Sequence, residues 1–378
     1  MTETVFSNAR IVLADEVVTG SVRAVDGKIV AIDPGTASAG EDFEGDYLIP
    51  GLVELHTDQF ENHYRPRPGV YWNTLGALQS HDLQIAGSGI TTVFDAVRIG
   101  ADPEFPGMAQ HVEEMVGAIQ TGVDDGRLRA DHFIHLRCEL PTPDVAEMFE
   151  RLSQLPLVKL ASVMDHTPGQ RQYQVMDGYI QYYKGKLNLT DAQMDEFIVR
   201  RQDEQKLYAE VNRKAILKRG HEAGIAFASH DDATEAQVAE SLSDGVDVAE
   251  FPTTMAAAKA SHEAGLKVLM GAPNVVRGGS HSGNIAASEL ARQGYLDVLS
   301  SDYVPGALIL AAFMLPEITG IVTLPAAIAM VSTTPARAAH LADRGEIAAG
   351  KRADLVRVRL HSGMPVVKGV WRQGRRVG

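Results

Sequence analysis

The sequence predicts an α/β protein: a (β/α)8 TIM barrel with a small β-sandwich domain built from both chain termini. Two observations predict this fold class. The middle of the chain alternates strand-like apolar runs with longer helical patterns, as parallel βα units do, and eight such units fit a closed barrel better than an open sheet. Both ends carry short alternating runs separated by turn residues, which is typical of β-hairpins.

Each barrel strand is predicted from an apolar run that ends at a polar or turn-forming stretch. Segments 1–50 and 345–378 are predicted to form the sandwich, and residues 51–344 the barrel. The longest interval between strands, 170–224, contains RQYQVMDGYIQYYKGK and is predicted to be an insertion or lid beside the fourth strand. The predicted strands are LVELHTD (52–58), TTVFDAV (91–97), FIHLRCEL (133–140), VKLASVMD (158–165), IAFASHD (225–231), VDVAEFPT (246–253), KVLMGAPN (267–274) and DVLSSDY (297–303).

The composition excludes several classes of protein. A chain of 378 residues with 45% apolar content can bury a large core, so disorder is not expected. The formal net charge of -14 argues against nucleic-acid binding, although local positive charge can still hold a small anionic substrate. Cys138 is the sole cysteine, which excludes an internal disulfide and a cysteine-based zinc cluster. No signal peptide or membrane-length apolar run is visible, so we expect a cytoplasmic protein without a membrane partner.

Ionisable side chains lie at the C-terminal ends of the predicted strands, where barrel enzymes place their chemistry. His56 and Asp58 are two residues apart on one strand, so both point into the barrel mouth. Several such groups at one rim would be costly to desolvate unless cations lay among them, and imidazole and carboxylate are natural metal ligands. The pattern therefore predicts a metal site in preference to a hydrogen-bonded structural cluster. The other members of the set are Glu139, His166, His230 and Asp302.

The chain resembles the amidohydrolase superfamily over nearly its whole length. The split sandwich, the barrel, the H-x-D motif of the first strand, the later histidines and the aspartate of the eighth strand are the pattern of that superfamily. More narrowly, the chain resembles the PhnM family of the carbon–phosphorus lyase pathway, which are α-D-ribose 1-methylphosphonate 5-triphosphate diphosphatases. The narrower resemblance is carried by PGLVELHTD, PRP (66–68), SHD (80–82), GITTVFDAV, HLRCELP, MDHTPGQRQ, SHDDAT, AEFPTT, LMGAPNVVRGGSHSGN, SSDY and VWRQGRRV.

This resemblance implies two divalent metal ions, zinc or alternatively manganese or iron, held by the six residues with Glu139 as the bridging ligand. Three departures from the superfamily pattern limit the transfer of ligands. Asp58 stands where many members have a second histidine. Lys159 is the alternative bridge, but it lies several residues before the end of its strand. The sixth strand carries Glu250 where a histidine is often found, so either His166 takes that role or Glu250 is itself a ligand.

The resemblance also implies a reaction in which water attacks the α-phosphorus of a 5-triphosphate and pyrophosphate leaves. Asp302 is then the general base, and His281 is expected to donate a proton or a hydrogen bond to the leaving group. A triphosphate needs more positive charge than two cations supply, so arginines and hydroxyls are expected around it. These phosphate-binding candidates are Arg65, Arg67, Arg137, Arg171, Arg277, Ser280 and Ser282.

Two other functions are compatible with parts of the pattern. An amidohydrolase that opens a cyclic amide or cleaves an N-acyl group would use the same metal ligands, but it has less use for several phosphate-binding arginines. A catalytically silent scaffold would be expected to lack ligands, whereas all six positions are filled here. The expected partner is a small anionic phosphorylated substrate, and family analogy alone suggests a homo-oligomer.

Overall fold

The protein is described by a computed structural model covering residues 2–100, 108–171, 176–280 and 283–378. Within these ranges the chain forms two eight-stranded sheets, one antiparallel for the most part and one parallel. The helices alternate with the strands of the parallel sheet, as the sequence pattern predicts. The helices are α1 (Gln59–Tyr64), α2 (Thr74–Gly87), α3 (Met108–Asp124), α4 (Val145–Leu152), α5 (Met176–Leu187), α6 (Asp191–Glu222), α7 (Glu235–Ser243), α8 (Met255–Glu263), α9 (Ala272–Arg277), α10 (Ala287–Gln293), α11 (Ala307–Thr319), α12 (Leu324–Ala329) and α13 (Thr333–Ala338).

The sheet formed by the two termini has the order β16-β15-β14-β5-β1-β2-β3, with β4 paired to β1. Strand β14 pairs antiparallel with β5, so the C-terminal hairpin joins the N-terminal strands directly. Its core is aromatic: the ring of Phe6 lies 5.0 Å from Trp371 and 5.8 Å from Phe43, all three buried. The strands are β1 (Glu3–Val12), β2 (Val17–Val25), β3 (Lys28–Pro34), β4 (Glu41–Asp42), β5 (Tyr47–Pro50), β14 (Leu355–His361), β15 (Met364–Arg372) and β16 (Arg375–Arg376).

The parallel sheet follows chain order from β6 to β13, and each of the eight predicted strands is present in it. Strand β6 is buried along its whole length, as expected when both faces of a parallel sheet are covered. Thr57 and Asp302 form a parallel bridge between the ends of the first and last strands, so the sheet closes on itself and the predicted barrel is confirmed. The strands are β6 (Leu52–Thr57), β7 (Ile90–Ile99), β8 (Asp131–Glu139), β9 (Val158–Met164), β10 (Ala226–His230), β11 (Val248–Glu250), β12 (Lys267–Gly271) and β13 (Val298–Ser300).

The long interval 170–224 is mostly helical in its described part, as α5 and the 32-residue α6. A capping box at Thr190 begins α6, because the threonine side chain and Gln193 satisfy each other's backbone N–H groups. Tyr179, Met194 and Phe197 form a small buried core between the two helices. Whether this segment acts as a lid stays a prediction.

The chain divides into two compact units whose boundaries fall inside the parallel sheet. Unit 1 comprises 1–95, 118–133 and 269–378, and unit 2 comprises 96–117 and 134–268. Unit 1 therefore contains the terminal sheet together with β6, β13 and parts of β7, β8 and β12. The domain boundaries predicted from sequence, 1–50 with 345–378 and 51–344, stay a prediction.

A buried charged network anchors α2 within unit 1. Asp95 of β7 accepts from His81 of α2 and from His132 of β8, each at 2.7 Å, and His132 lies 3.3 Å from Asp82 of α2. Asp82 also accepts the backbone N–H of Arg129 at 2.8 Å. Burial alone would lower the pKa of His132, but the two aspartates raise it to about 9. Both carboxylates are thus paired with imidazole or backbone N–H groups, so the cluster stabilises the packing of α2 against β7 and β8.

Candidate metal-binding groups

The first donor group lies in unit 1 at the ends of β6 and β13. Donor atoms of His56, Asp58 and Asp302 lie within 4.8 Å of one another, and Nε2 of His56 is 3.7 Å from Oδ1 of Asp58. The backbone holds the two strand ends in register, since Asp58 N–H donates to the carbonyl of Asp302 at 3.0 Å and Asp302 N–H donates to that of His56 at 3.1 Å. One imidazole and two carboxylates converging in this way form a donor set suited to a divalent cation.

Glu54 holds the backbone of the first donor group in position. It is fully buried on β6, and its carboxylate accepts the N–H of His56 at 2.7 Å and the N–H of Ser301 at 2.5 Å. Burial raises the pKa of Glu54 to about 7 despite these hydrogen bonds. A single carboxylate thus ties the strand that carries His56 and Asp58 to the segment that carries Asp302.

The second donor group lies in unit 2 and consists of His166, His230 and Asp231. Oδ2 of Asp231 lies 3.5 Å from Nε2 of His230 and 3.8 Å from Nε2 of His166. The opposite ring nitrogens are held by buried carboxylates: Nδ1 of His230 lies 2.7 Å from Glu250, and Nδ1 of His166 lies 2.6 Å from Glu139. Histidines that bind metals are commonly oriented through the second nitrogen by a carboxylate, which leaves the first directed at the metal.

Glu139 is surrounded by positive charge within unit 2. Arg98 donates to its Oε2 at 2.9 Å, and Arg201 lies 3.5 Å from its Oε1. Burial alone would raise the pKa of Glu139, but His166 and the two arginines hold it well below its ordinary value. Glu139 and Glu250 therefore lie where they orient the two histidines, and the bridging role assigned to Glu139 stays a prediction.

The phosphate-binding candidates of unit 1 lie in two loops. Arg65 caps α1 and is half-buried, whereas Arg67 follows in the loop and is exposed. Arg277 is exposed at the end of α9, next to Gly278, whose φ of +81° ends the helix, and Ser280 is half-buried. Ser282, the remaining phosphate-binding candidate here, lies outside the described residues, as does His281, the expected donor to the leaving group.

Three candidates of unit 2 have surroundings that bear on their predicted roles. Arg171 is buried, and its guanidinium is paired with Asp232 and, at 3.1 Å, with Glu240. These two carboxylates compensate its charge, and its phosphate contact stays a prediction. Lys159 is exposed near the beginning of β9, and its role as the alternative bridging residue stays a prediction. Arg137 lies half-buried on β8, one residue before the buried Cys138, and its phosphate contact also stays a prediction.

Sequence reasoning missed several residues that the structure brings to these groups. Asp231 follows His230 directly, and neighbouring residues of a regular strand point to opposite faces; its left-handed backbone, with φ of +57°, is not visible in the sequence. Arg98 lies one residue before the end of β7 and could have been found from the same rule of polar strand ends. Arg201 and Glu54 carry no such signal, because one lies in a long helix and the other inside an apolar strand.

The fold belongs to a known family. The model of the amidohydrolase family matches residues 145–377, so this chain belongs to that family. Among curated proteins it is similar to the α-D-ribose 1-methylphosphonate 5-triphosphate diphosphatase of Escherichia coli (strain K12), with 47% identity over 99% of this chain and 100% of that protein. The predicted resemblance is thereby confirmed.

Solved structures support the fold. The 5-methylcytosine deaminase of Klebsiella pneumoniae, liganded with phosphonocytosine, superimposes with a TM-score of 0.67 at 14% identity over 99% of this chain and 98% of that chain. The N-acetyl-D-glucosamine-6-phosphate deacetylase of Mycobacterium smegmatis gives 0.64 at 16% identity, over 99% of this chain and 100% of that chain. Among the described residues, no helix has the length and apolarity needed to cross a membrane.

Proposed function

We propose that this chain is a metal-dependent hydrolase that releases pyrophosphate from α-D-ribose 1-methylphosphonate 5-triphosphate and leaves the 5-phosphate. The observation that carries the proposal is the 47% identity to a diphosphatase of that name, which extends over practically the whole of both chains. The alternative, hydrolysis of a cyclic amide or an N-acyl group, has only fold-level support, since the deaminase and deacetylase neighbours are 14% and 16% identical.

The two donor groups are the proposed metal-binding residues. His56, Asp58 and Asp302 would hold one divalent cation, and His166, His230 and Asp231 another; we propose zinc, with manganese or iron as alternatives. Such a cation, when bound, supplies Lewis-acid activation of a phosphate oxygen and of water. The nitrogen and oxygen donors of the two groups support this assignment. In unit 2, buried carboxylates hold the second ring nitrogen of both histidines, as is common for metal-binding histidines.

Asp302 is the proposed general base. Its side chain is partly accessible at the end of β13. Its backbone N–H and carbonyl both form hydrogen bonds with the end of β6, so the carboxylate is held in position to accept a proton. Water adds to the α-phosphorus, the bond from that phosphorus to the bridging oxygen breaks, and pyrophosphate leaves with that oxygen. The exposed Arg67 and Arg277 and the half-buried Arg65 are the proposed cationic contacts of the phosphates.

The proposal is tested by following pyrophosphate release from the ribosyl 5-triphosphate with metal-loaded protein. Asp302→Asn should lower kcat by at least about a hundredfold, the lower end for loss of a general base, while the exposed Asp15→Asn should not change it. Hydrolysis of a cyclic amide without pyrophosphate release would favour the alternative.

Metal content provides a readout independent of turnover. His230→Ala should reduce the bound metal measured by mass spectrometry, whereas His361→Ala, at the exposed end of β14, should retain it. Full metal content in His230→Ala would remove that residue from the proposed ligand set.

A further inference from the structure

Helix α6 exposes an ordered row of residues on one face of unit 2. The row, called here the α6 stripe, consists of Glu196, Val199, Asp203, Leu207, Val211 and Lys214, all exposed. Its spacings of three and four residues keep the six side chains on one side of the helix. Its three aliphatic members are 57%, 65% and 67% exposed, in chain order. Several large apolar side chains aligned in this way are typical of a contact surface.

The stripe is symmetric about the middle of the helix. Its spacings are 3, 4, 4, 4 and 3, which read the same from either end. A two-fold axis level with residue 205, on the stripe side of the helix, would therefore bring Val199 level with Val211 of a second copy and Glu196 level with Lys214. The innermost pair is Asp203 with Leu207. A two-fold contact uses the same surface on both partners, so the surface has to be complementary to its own rotated image.

The two halves of α6 carry opposite net charges, as an antiparallel two-fold contact requires. The first half, 191–206, has five acidic and three basic residues, and the second half, 207–222, has two acidic and four basic residues. The halves therefore carry net charges of -2 and +2 with histidine neutral. Two antiparallel copies would bring opposite charges together along the helix, and their helix dipoles would be antiparallel too.

The local geometry can accommodate a second helix. A surface depression of about 710 Å³ lies along the stripe, lined by Val199, Leu207, Tyr208 and Pro143 among others. Lys214 is paired with Glu210 at 2.8 Å within the helix, but both side chains are more than 60% exposed. An exposed pair of this kind contributes little stability, so Lys214 can exchange its partner at small cost.

We propose that two copies of this chain associate through the α6 stripe, with the helices antiparallel across a two-fold axis between Asp203 and Leu207. At 1.5 Å per residue and about 10 Å width, α6 offers roughly 480 Å² to each partner, which is below the roughly 800 Å² of a standard stable interface. The contact therefore forms a reversible dimer whose population depends on protein concentration. This inference does not depend on the reaction that the protein catalyses.

Sedimentation equilibrium of the full chain tests the contact. Leu207→Glu should weaken association at least about tenfold, since the proposed register brings position 207 level with Asp203 of the second copy and the variant places two carboxylates together there. The matched control is Ile321→Glu, because Ile321 is 63% exposed and lies in unit 1. A wild-type protein that remains monomeric up to about 100 µM, a hundredfold above a micromolar dissociation constant, would overturn the proposal, as would equal effects of the two variants.

A charge exchange tests the antiparallel register. Glu196→Lys alone and Lys214→Glu alone should each weaken the dimer, because each creates two like-charged pairs across the axis. The double variant should restore the wild-type dissociation constant, since the two charges are merely interchanged. Thermal melts confirm that each variant is folded, which is expected because both positions are exposed. Additive weakening in the double variant would contradict the proposed pairing.

Discussion

Removal of the negative charge at Asp95 should destabilise unit 1 far more than removal of a surface charge. Asp95 is fully buried and is the common partner of His81 and His132, at 2.7 Å from each. In Asp95→Asn a buried imidazolium loses its nearest counter-charge, and breaking such a pair typically costs about 3–5 kcal/mol. Urea denaturation measures this change as the difference in the free energy of unfolding for the transition in which unit 1 unfolds.

The pH dependence gives the same prediction a second, independent test. The pKa of His132 is raised from 6.5 to about 9, so its contribution to stability is fully present below about 6.5 and is lost as the pH rises through about 9. The stability difference between wild type and Asp95→Asn should therefore shrink between about pH 7 and pH 10, since the folded-state pKa lies in that interval. The exposed ion-pair variant Asp125→Asn serves as control and should change stability by less than about 1 kcal/mol. A loss below about 1 kcal/mol in Asp95→Asn, or a difference that is independent of pH, would refute this reasoning.

Three further substitutions follow from individual contacts. Glu54→Gln should lower the free energy of unfolding by about 1–3 kcal/mol and reduce metal retention, because an amide cannot accept both backbone N–H groups. The exposed control Glu16→Gln should change neither quantity. Unchanged metal content in Glu54→Gln would show that Glu54 does not position the metal-binding residues. Arg171→Met should destabilise the protein by about 3–5 kcal/mol, because the buried Asp232 loses its counter-charge, and it should not raise KM for the triphosphate. A raised KM at unchanged stability would instead support a contact between Arg171 and the phosphates. Lys159→Ala should retain full metal content and activity, since the Lys159 side chain is exposed. Loss of metal in this variant would support Lys159 as the bridging ligand.

The fold was predictable because its signal is repeated along the chain. Each barrel strand is a short apolar run that ends in polar residues, and eight repetitions of that pattern leave few alternatives to a closed barrel. The terminal sheet was predictable from the likeness of the two chain ends. The division into two compact units was not, because its boundaries fall within continuous strands such as β7 and β8, where the sequence has no linker.

Much of the candidate site was predictable from the polar residues at the strand ends, since that rule named Asp302 with His56 and Asp58 as well as His166 with His230. Strand alternation placed His56 and Asp58 on one face, and the structure brings both to the same donor group. The pairing of Arg171 was not predictable, since its partners Asp232 and Glu240 are distant in sequence and their compensation of its charge is a tertiary effect. A free phosphate-binding arginine and a buried, paired arginine have the same appearance in a sequence.

The ends of the barrel strands share a backbone feature that explains why alternation fails there. Asp231, Phe251 and Asp302 follow β10, β11 and β13 with φ values of +57°, +54° and +56°, a region that is unfavourable for residues other than glycine. Each such residue costs about 1–2 kcal/mol, and glycine would avoid that cost. Strain of this kind persists only where the surroundings enforce it, and it is concentrated at functional sites. Two of the three positions carry donor-group carboxylates, and the ring of Phe251 packs edge-on against that of His230 at 5.7 Å. The strained backbone thus directs side chains that glycine could not provide, which explains why the cost is tolerated at this end of the strands.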